Sequence, residues 1–194
     1  MHANLRLWQR IAVAAVLVGF AAPAQAQKGW TGQLKGTNEV PPNASTATGL
    51  TNIFLSGHML TVNVIWQGLV GGNPLAAHIH CCTSAQGTNI GVAVGLPIFP
   101  SLTSGTYTNT FDLTSTSVYA PNFLINFGSG TAAGAEAALI SGLDAGRAYV
   151  NIHNAVYPGG EIRANVVSTP EPASMMLVAT GLLAIAGLKR RKAA

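Results

Sequence analysis

Thr51-Asn52-Ile53-Phe54-Leu55-Ser56-Gly57-His58-Met59-Leu60-Thr61-Val62-Asn63-Val64-Ile65-Trp66 is the stretch that decides the fold class. Ser56-Gly57-His58 is a turn signal between two runs, Thr51 to Leu55 and Leu60 to Trp66. In the second run Leu60, Val62, Val64 and Trp66 alternate with Thr61 and Asn63. A period of two puts the apolar set on one face of an extended chain and the polar set on the other, so the stretch reads as a half-buried β-hairpin.

The same reading extends outward. Ala76–Cys81, Gly91–Leu96 and Thr106–Thr114 are further strand candidates. Ala148–His153 and Glu161–Val167 form a final pair around the strong turn Tyr157-Pro158-Gly159-Gly160. Only Ala132–Ser141, rich in Ala and followed by Gly142, reads as a helix. Short strands at close spacing predict a mostly β domain, an antiparallel sandwich or barrel with one short helix.

Both ends of the chain read as addresses. Arg6 and Arg10 precede an apolar stretch and Ala24-Gln25-Ala26, the anatomy of a signal peptide over residues 1–26. Residues 170–194 combine Pro170-Glu171-Pro172, an apolar run from Ala173 to Leu188, and Lys189-Arg190-Arg191-Lys192. As a helix the 16-residue run rises about 24 Å against roughly 30 Å of hydrocarbon, and snorkelling cations extend its reach. It is expected to be a transmembrane helix with its basic end in the cytoplasm. The formal charge of +4 comes from these ends. Residues 27–172 carry four cations against six acidic residues, 4 − 6 = −2, which leaves no basic surface for nucleic acid.

The chemistry of the expected domain, residues 27–169, concentrates in histidines. His78 and His80 lie two apart on a strand and share a face, which Cys82 joins if the strand continues. Such a pair suits Zn²⁺ or Cu²⁺, held about 2.0–2.1 Å from each imidazole nitrogen. If the strand of His153 lies alongside, three imidazoles meet, with Glu161 or Cys82 as a further ligand. The same rings could instead hydrogen-bond carbonyls and the Asn151 amide. Glu161 and Arg163 read most simply as an ion pair or as solvated strand residues. A His-x-His pair after a Gly-Leu segment is similar to copper-zinc superoxide dismutase. That two-metal site needs six histidines, and residues 27–169 hold only His58, His78, His80 and His153. A mononuclear site survives the count.

Cys81 and Cys82 are adjacent, with Cα atoms about 3.8 Å apart across a trans peptide, shorter than an ordinary disulfide spans. A vicinal disulfide, intermolecular bridges and thiolate ligation beside the histidines are the three options. No nucleophile elbow, phosphate loop or paired carboxylates appear, and Gly128-Ser129-Gly130 lacks a strand-to-helix context. The sequence gives no support for an enzyme.

Several blocks together resemble the CHRD domain: Leu34, Gly36, Glu39-Val40-Pro41-Pro42, Ser45, Ala47 and Gly49; Trp66-Gln67-Gly68-Leu69 with Ala77-His78-Ile79-His80; and Ala148-Tyr149-Val150-Asn151-Ile152-His153 with Pro158-Gly159-Gly160-Glu161-Ile162-Arg163. The tail resembles the PEP-CTERM signal. The resemblance implies an immunoglobulin-like β domain exported by a Gram-negative bacterium and supplies no activity. It also implies an exosortase as processing partner and exopolysaccharide as surroundings. The expectation is a non-enzymatic surface or matrix protein, exported by the Sec and signal peptidase machinery and transiently anchored in the inner membrane. A Cu- or Zn-binding domain is the alternative. A weaker option is carbohydrate binding through Trp30, Trp66 and Tyr107.

Overall fold

The computed structural model describes residues 27–85, 87–170 and 180–181. The signal peptide expected over residues 1–26 and nearly all of the apolar run expected to cross the membrane lie outside them. Among the described residues no helix is long and apolar enough to cross a membrane.

Nine strands form one antiparallel sheet: β1 (Lys28–Lys35), β2 (Thr48–Ser56), β3 (Met59–Gln67), β4 (Ala76–Cys81), β5 (Val92–Gly95), β6 (Gly105–Asp112), β7 (Ala148–His153), β8 (Ile162–Asn165) and β9 (Val167–Thr169). Their order is β5-β4-β7-β8-β1-β2-β3-β6, with β9 beside β1. The sheet curls into a half-barrel, and a single bridge, Val94 to Tyr119, ties the segment after β6 back to β5.

The opening hairpin forms as its pattern requires. Gly57 takes φ +58° in a two-residue turn, the geometry that matches strand twist. Ile53 faces Val62 and Leu55 faces Leu60, all buried. Trp66 is buried too, stacked on Phe99 at 4.5 Å with its indole N–H donating to the Leu102 carbonyl at 3.0 Å. Trp30 and Tyr107 are likewise in the core. The aromatic surface expected for a glycan is therefore not exposed on these three residues.

Strand β1 went unread in the sequence because Gly29, Gly32 and two lysines weaken its pattern. It nevertheless pairs with β2 along its whole length. A side chain at Gly32 would collide with the Asn165 backbone, so the strand needs its glycine.

Among the described residues two helices, both between β6 and β7, cover the sheet. Helix α1 (Pro121–Asn126) starts at a proline and buries Phe123. Helix α2 (Ala132–Asp144) is capped by Thr131, whose hydroxyl accepts from the Gly134 N–H at 3.1 Å. Gly142 does not end it. Gly146, at φ +66°, closes a Schellman motif in which its N–H donates to Leu143 and that of Arg147 donates to Gly142. Lys28 and the Trp30 indole both reach Asp144, at 2.6 and 3.2 Å, and tie the helix end to β1.

Gly142 instead makes room for sulfur. Cys81 and Cys82 are joined by a disulfide, and a Cβ at position 142 would fall on both sulfur atoms. In an open helix Gly→Ala adds about 1 kcal/mol. Here overpacking reverses the sign. Gly142→Ala should lower the unfolding free energy by about 1–3 kcal/mol in urea denaturation. In a Cys81→Ala/Cys82→Ala background that penalty should shrink to near zero. An equal penalty in both backgrounds would remove the steric explanation.

Candidate metal centre

Strands β4 and β7 pair so that His80 faces Tyr149, His78 faces Asn151 and Ala76 faces His153. Strand β8 continues the row, with Asn151 opposite Arg163. Ala77, Ile79, Val150 and Ile152 point the other way, into the apolar core. The polar face is roofed by the segments around Glu39 and Ile90 and by the turn at 157–160, so His80, Tyr149, Asn151 and Arg163 are buried although they point away from the core.

The three predicted histidines meet. One ring nitrogen from each of His78, His80 and His153 lies within 4.8 Å of the other two. Ring centroids are 5.0 Å apart for His78 and His153, and 5.6 Å for His78 and His80. An ion at 2.0–2.1 Å from each nitrogen needs spacings of about 3.3 Å in a tetrahedral set, within reach of small side-chain rotations.

Their hydrogen bonds aim the rings. The Ile90 carbonyl lies 2.7 Å from Nδ1 of His80, and the Pro158 carbonyl 2.9 Å from Nδ1 of His153. A carbonyl only accepts, so each Nδ1 carries the proton and each Nε2 presents a lone pair. Those two Nε2 atoms, with Nδ1 of His78, are buried and have no hydrogen-bond partner. Burial pushes the His78 imidazole down to about 4, helped by its two histidine neighbours. His80 and His153 are also lowered, chiefly by burial, and their carbonyl contacts resist the shift.

Around the triad stands a layer that sequence reasoning largely missed. Tyr149 stacks flat on His80, with centroids 4.5 Å apart. The Arg163 guanidinium lies 3.4 Å above the other side of the system, over the Tyr149 ring. Arg163 also donates to Asn89, Thr88 and Asn165 at 2.8–3.0 Å. Asn151 lies near both His80 and the buried Glu39 and opposes the burial shift of each, without closing a hydrogen bond to the His80 Nε2 atom. Burial raises the Glu39 carboxyl to about 7 against the pull of Arg163. The Glu39-Val40-Pro41-Pro42 block contained this residue, but no local spacing links it to positions 151 and 163.

Other expected participants are elsewhere. Glu161 is neither a solvated strand residue nor the ion-pair partner of Arg163. It is fully buried and accepts from the Ser45 hydroxyl at 2.6 Å, the N–H groups of Val70 and Gly71 at 2.7 and 3.1 Å, and the Asn154 amide. This carboxyl ties three loops together and has no free oxygen for the triad. Cys82 is held in the disulfide under α2, its sulfur 3.3 Å from the Ala138 carbonyl. His58 pairs with Glu136 at 2.8 Å, away from the site.

The shifts set the acid behaviour of the metal-free domain. The folded triad imidazoles hold their protons less tightly than unfolded ones, His78 with a value of about 4, so unfolding takes up protons and stability is lost as pH falls below about 6.5. Glu39 works in the opposite sense, because the folded form keeps its proton up to about 7. Near pH 5 unfolding should take up about one proton through His78 and more through His80 and His153, while Glu39 releases most of one, so the slope of unfolding free energy against pH should be positive. Glu39→Gln should steepen that slope by about one proton. A slope unchanged in that variant would mean that Glu39 does not titrate as placed.

The family model for the CHRD domain matches residues 30–166, and that for the PEP-CTERM protein-sorting motif matches residues 168–192. No curated protein and no solved structure matches the chain. The sorting motif marks an exported protein destined for the cell surface and handled by exosortase-type machinery.

Proposed function

The chain belongs to the CHRD-domain family, and we propose that it carries a mononuclear metal-binding domain to the bacterial surface, with His78, His80 and His153 holding one Zn²⁺ or Cu²⁺ ion. Two observations lie behind this reading: the three imidazoles converge, and each has one buried nitrogen that lacks a partner. Each such atom costs about 1–3 kcal/mol when left unsatisfied, and a cation would convert all three into bonds. Imidazole donors favour Zn²⁺ and Cu²⁺ over the oxygen-seeking Mg²⁺ and Ca²⁺. The Ile90 and Pro158 carbonyls are the kind of outer partners that orient metal-bound histidines. The proposed role is binding rather than turnover.

Delivery is proposed to follow the order of the terminal signals. After export the apolar run of the tail holds the chain in the inner membrane, with Lys189, Arg190, Arg191 and Lys192 inside and the domain outside. Processing near Pro170-Glu171-Pro172 then passes the domain to the surface and its polysaccharide matrix.

Elemental analysis of the purified full chain after incubation with Zn²⁺ or Cu²⁺ should find one ion per chain. His78→Ala/His80→Ala should retain less than a tenth of it. Wild-type protein that holds no stoichiometric metal, with the disulfide oxidised or reduced, would end the metal reading. Separately, removal of residues 170–194 should abolish surface delivery on fractionation. Unchanged surface delivery would count against the tail's role.

A further inference from the structure

We propose that the ion held by the triad keeps one coordination position free of protein donors, that this position takes a small anionic donor, and that Gly95 keeps the approach clear. The proposal rests on the metal reading above. Zn²⁺ and Cu²⁺ take at least four ligands, and a site with three protein ligands completes its set from outside. Among the described residues the cluster contains only the three histidines. Glu161 and Cys82, the nearest sequence candidates for a fourth donor, are committed elsewhere.

The open side can be located from what closes the others. His80 is buried beneath the stacked Tyr149 ring, and the Pro158 carbonyl holds His153 from the turn side. His78 and His153 are only half-buried, although their unpartnered nitrogens are covered. On the β5 side His78 is paired with Gly95, and residues paired directly across a sheet point to the same face. A Cβ at Gly95 would meet no atom within 4 Å. The space beside His78 is therefore empty because this position has no side chain. Both residues also line a cleft of about 770 Å³ that runs past Leu96, Phe99 and Tyr119. The donor class follows from charge. Imidazole binds a metal in its neutral form, so three of them leave the dication uncompensated, and Arg163 adds a further positive charge behind Tyr149. A monodentate anion such as azide, hydroxide or a carboxylate fits that field, and a bulky neutral ligand does not.

The test uses azide as the probe on the Cu²⁺-loaded full chain, after one ion per chain has been verified. A saturable azide-to-copper charge-transfer band is expected. Gly95→Leu should keep its copper and bind azide at least tenfold more weakly, and Gly95→Ala, which perturbs the strand least, should fall between. A loaded protein without an azide band would overturn the open position while leaving the metal site standing. Unchanged azide affinity in both variants would overturn the place given to Gly95. Failure to load copper, seen before any azide is added, would sink the metal reading and this inference with it.

Discussion

The antiparallel register between β4 and β7 is the constraint on which the rest depends. It sets His80 against Tyr149, His78 against Asn151 and Ala76 against His153. The same pairing turns Ala77, Ile79, Val150 and Ile152 into the core. A slip of β4 by one residue would send His78 and His80 into the apolar interior and Ala77 and Ile79 out under the loops. The cost of burying unpaired polar groups makes that alternative inaccessible. Core packing and assembly of the triad are therefore one event.

A strand face of polar residues ordinarily faces water, and here it does not. Loops cover it, and they stay down because Glu161 gathers donors from Ser45, Val70, Gly71 and Asn154. Asn43 adds bonds to the carbonyls of Gly160 and Glu161 from the same region. Burial under this roof lowers the histidines and raises Glu39. The roof thus leaves the imidazoles with directed, unpartnered lone pairs, and the Arg163–Tyr149–His80 stack forms the floor beneath them.

Strands with clean alternation were legible, and so was the turn at Gly57. Strand β1 was not, because its role as the partner of β2, β8 and β9 requires glycine where backbones approach closely. The end of α2 was misplaced for a related reason. Gly142 looks like a stop, yet it is a packing glycine forced by the sulfur atoms of Cys81 and Cys82. Locally, a glycine that ends a helix and one that accommodates a neighbour are indistinguishable. Glu161 and Arg163 read locally as an ion pair or as solvated strand residues, whereas each is buried and bound by groups distant in sequence.

The sequence by itself determined the β character, the pairing of histidines on one strand face, and the C-terminal sorting motif, because period, turn chemistry and short motifs are local properties. Tertiary structure alone decided that His153 joins His78 and His80, that Glu161 and Cys82 do not, and that Glu39, Tyr149 and Arg163 surround them. Those outcomes depend on strand order and loop closure, which bring together residues about 70 to 125 positions apart. Burial, the quantity that sets protonation and leaves nitrogens without partners, exists only once that closure is complete.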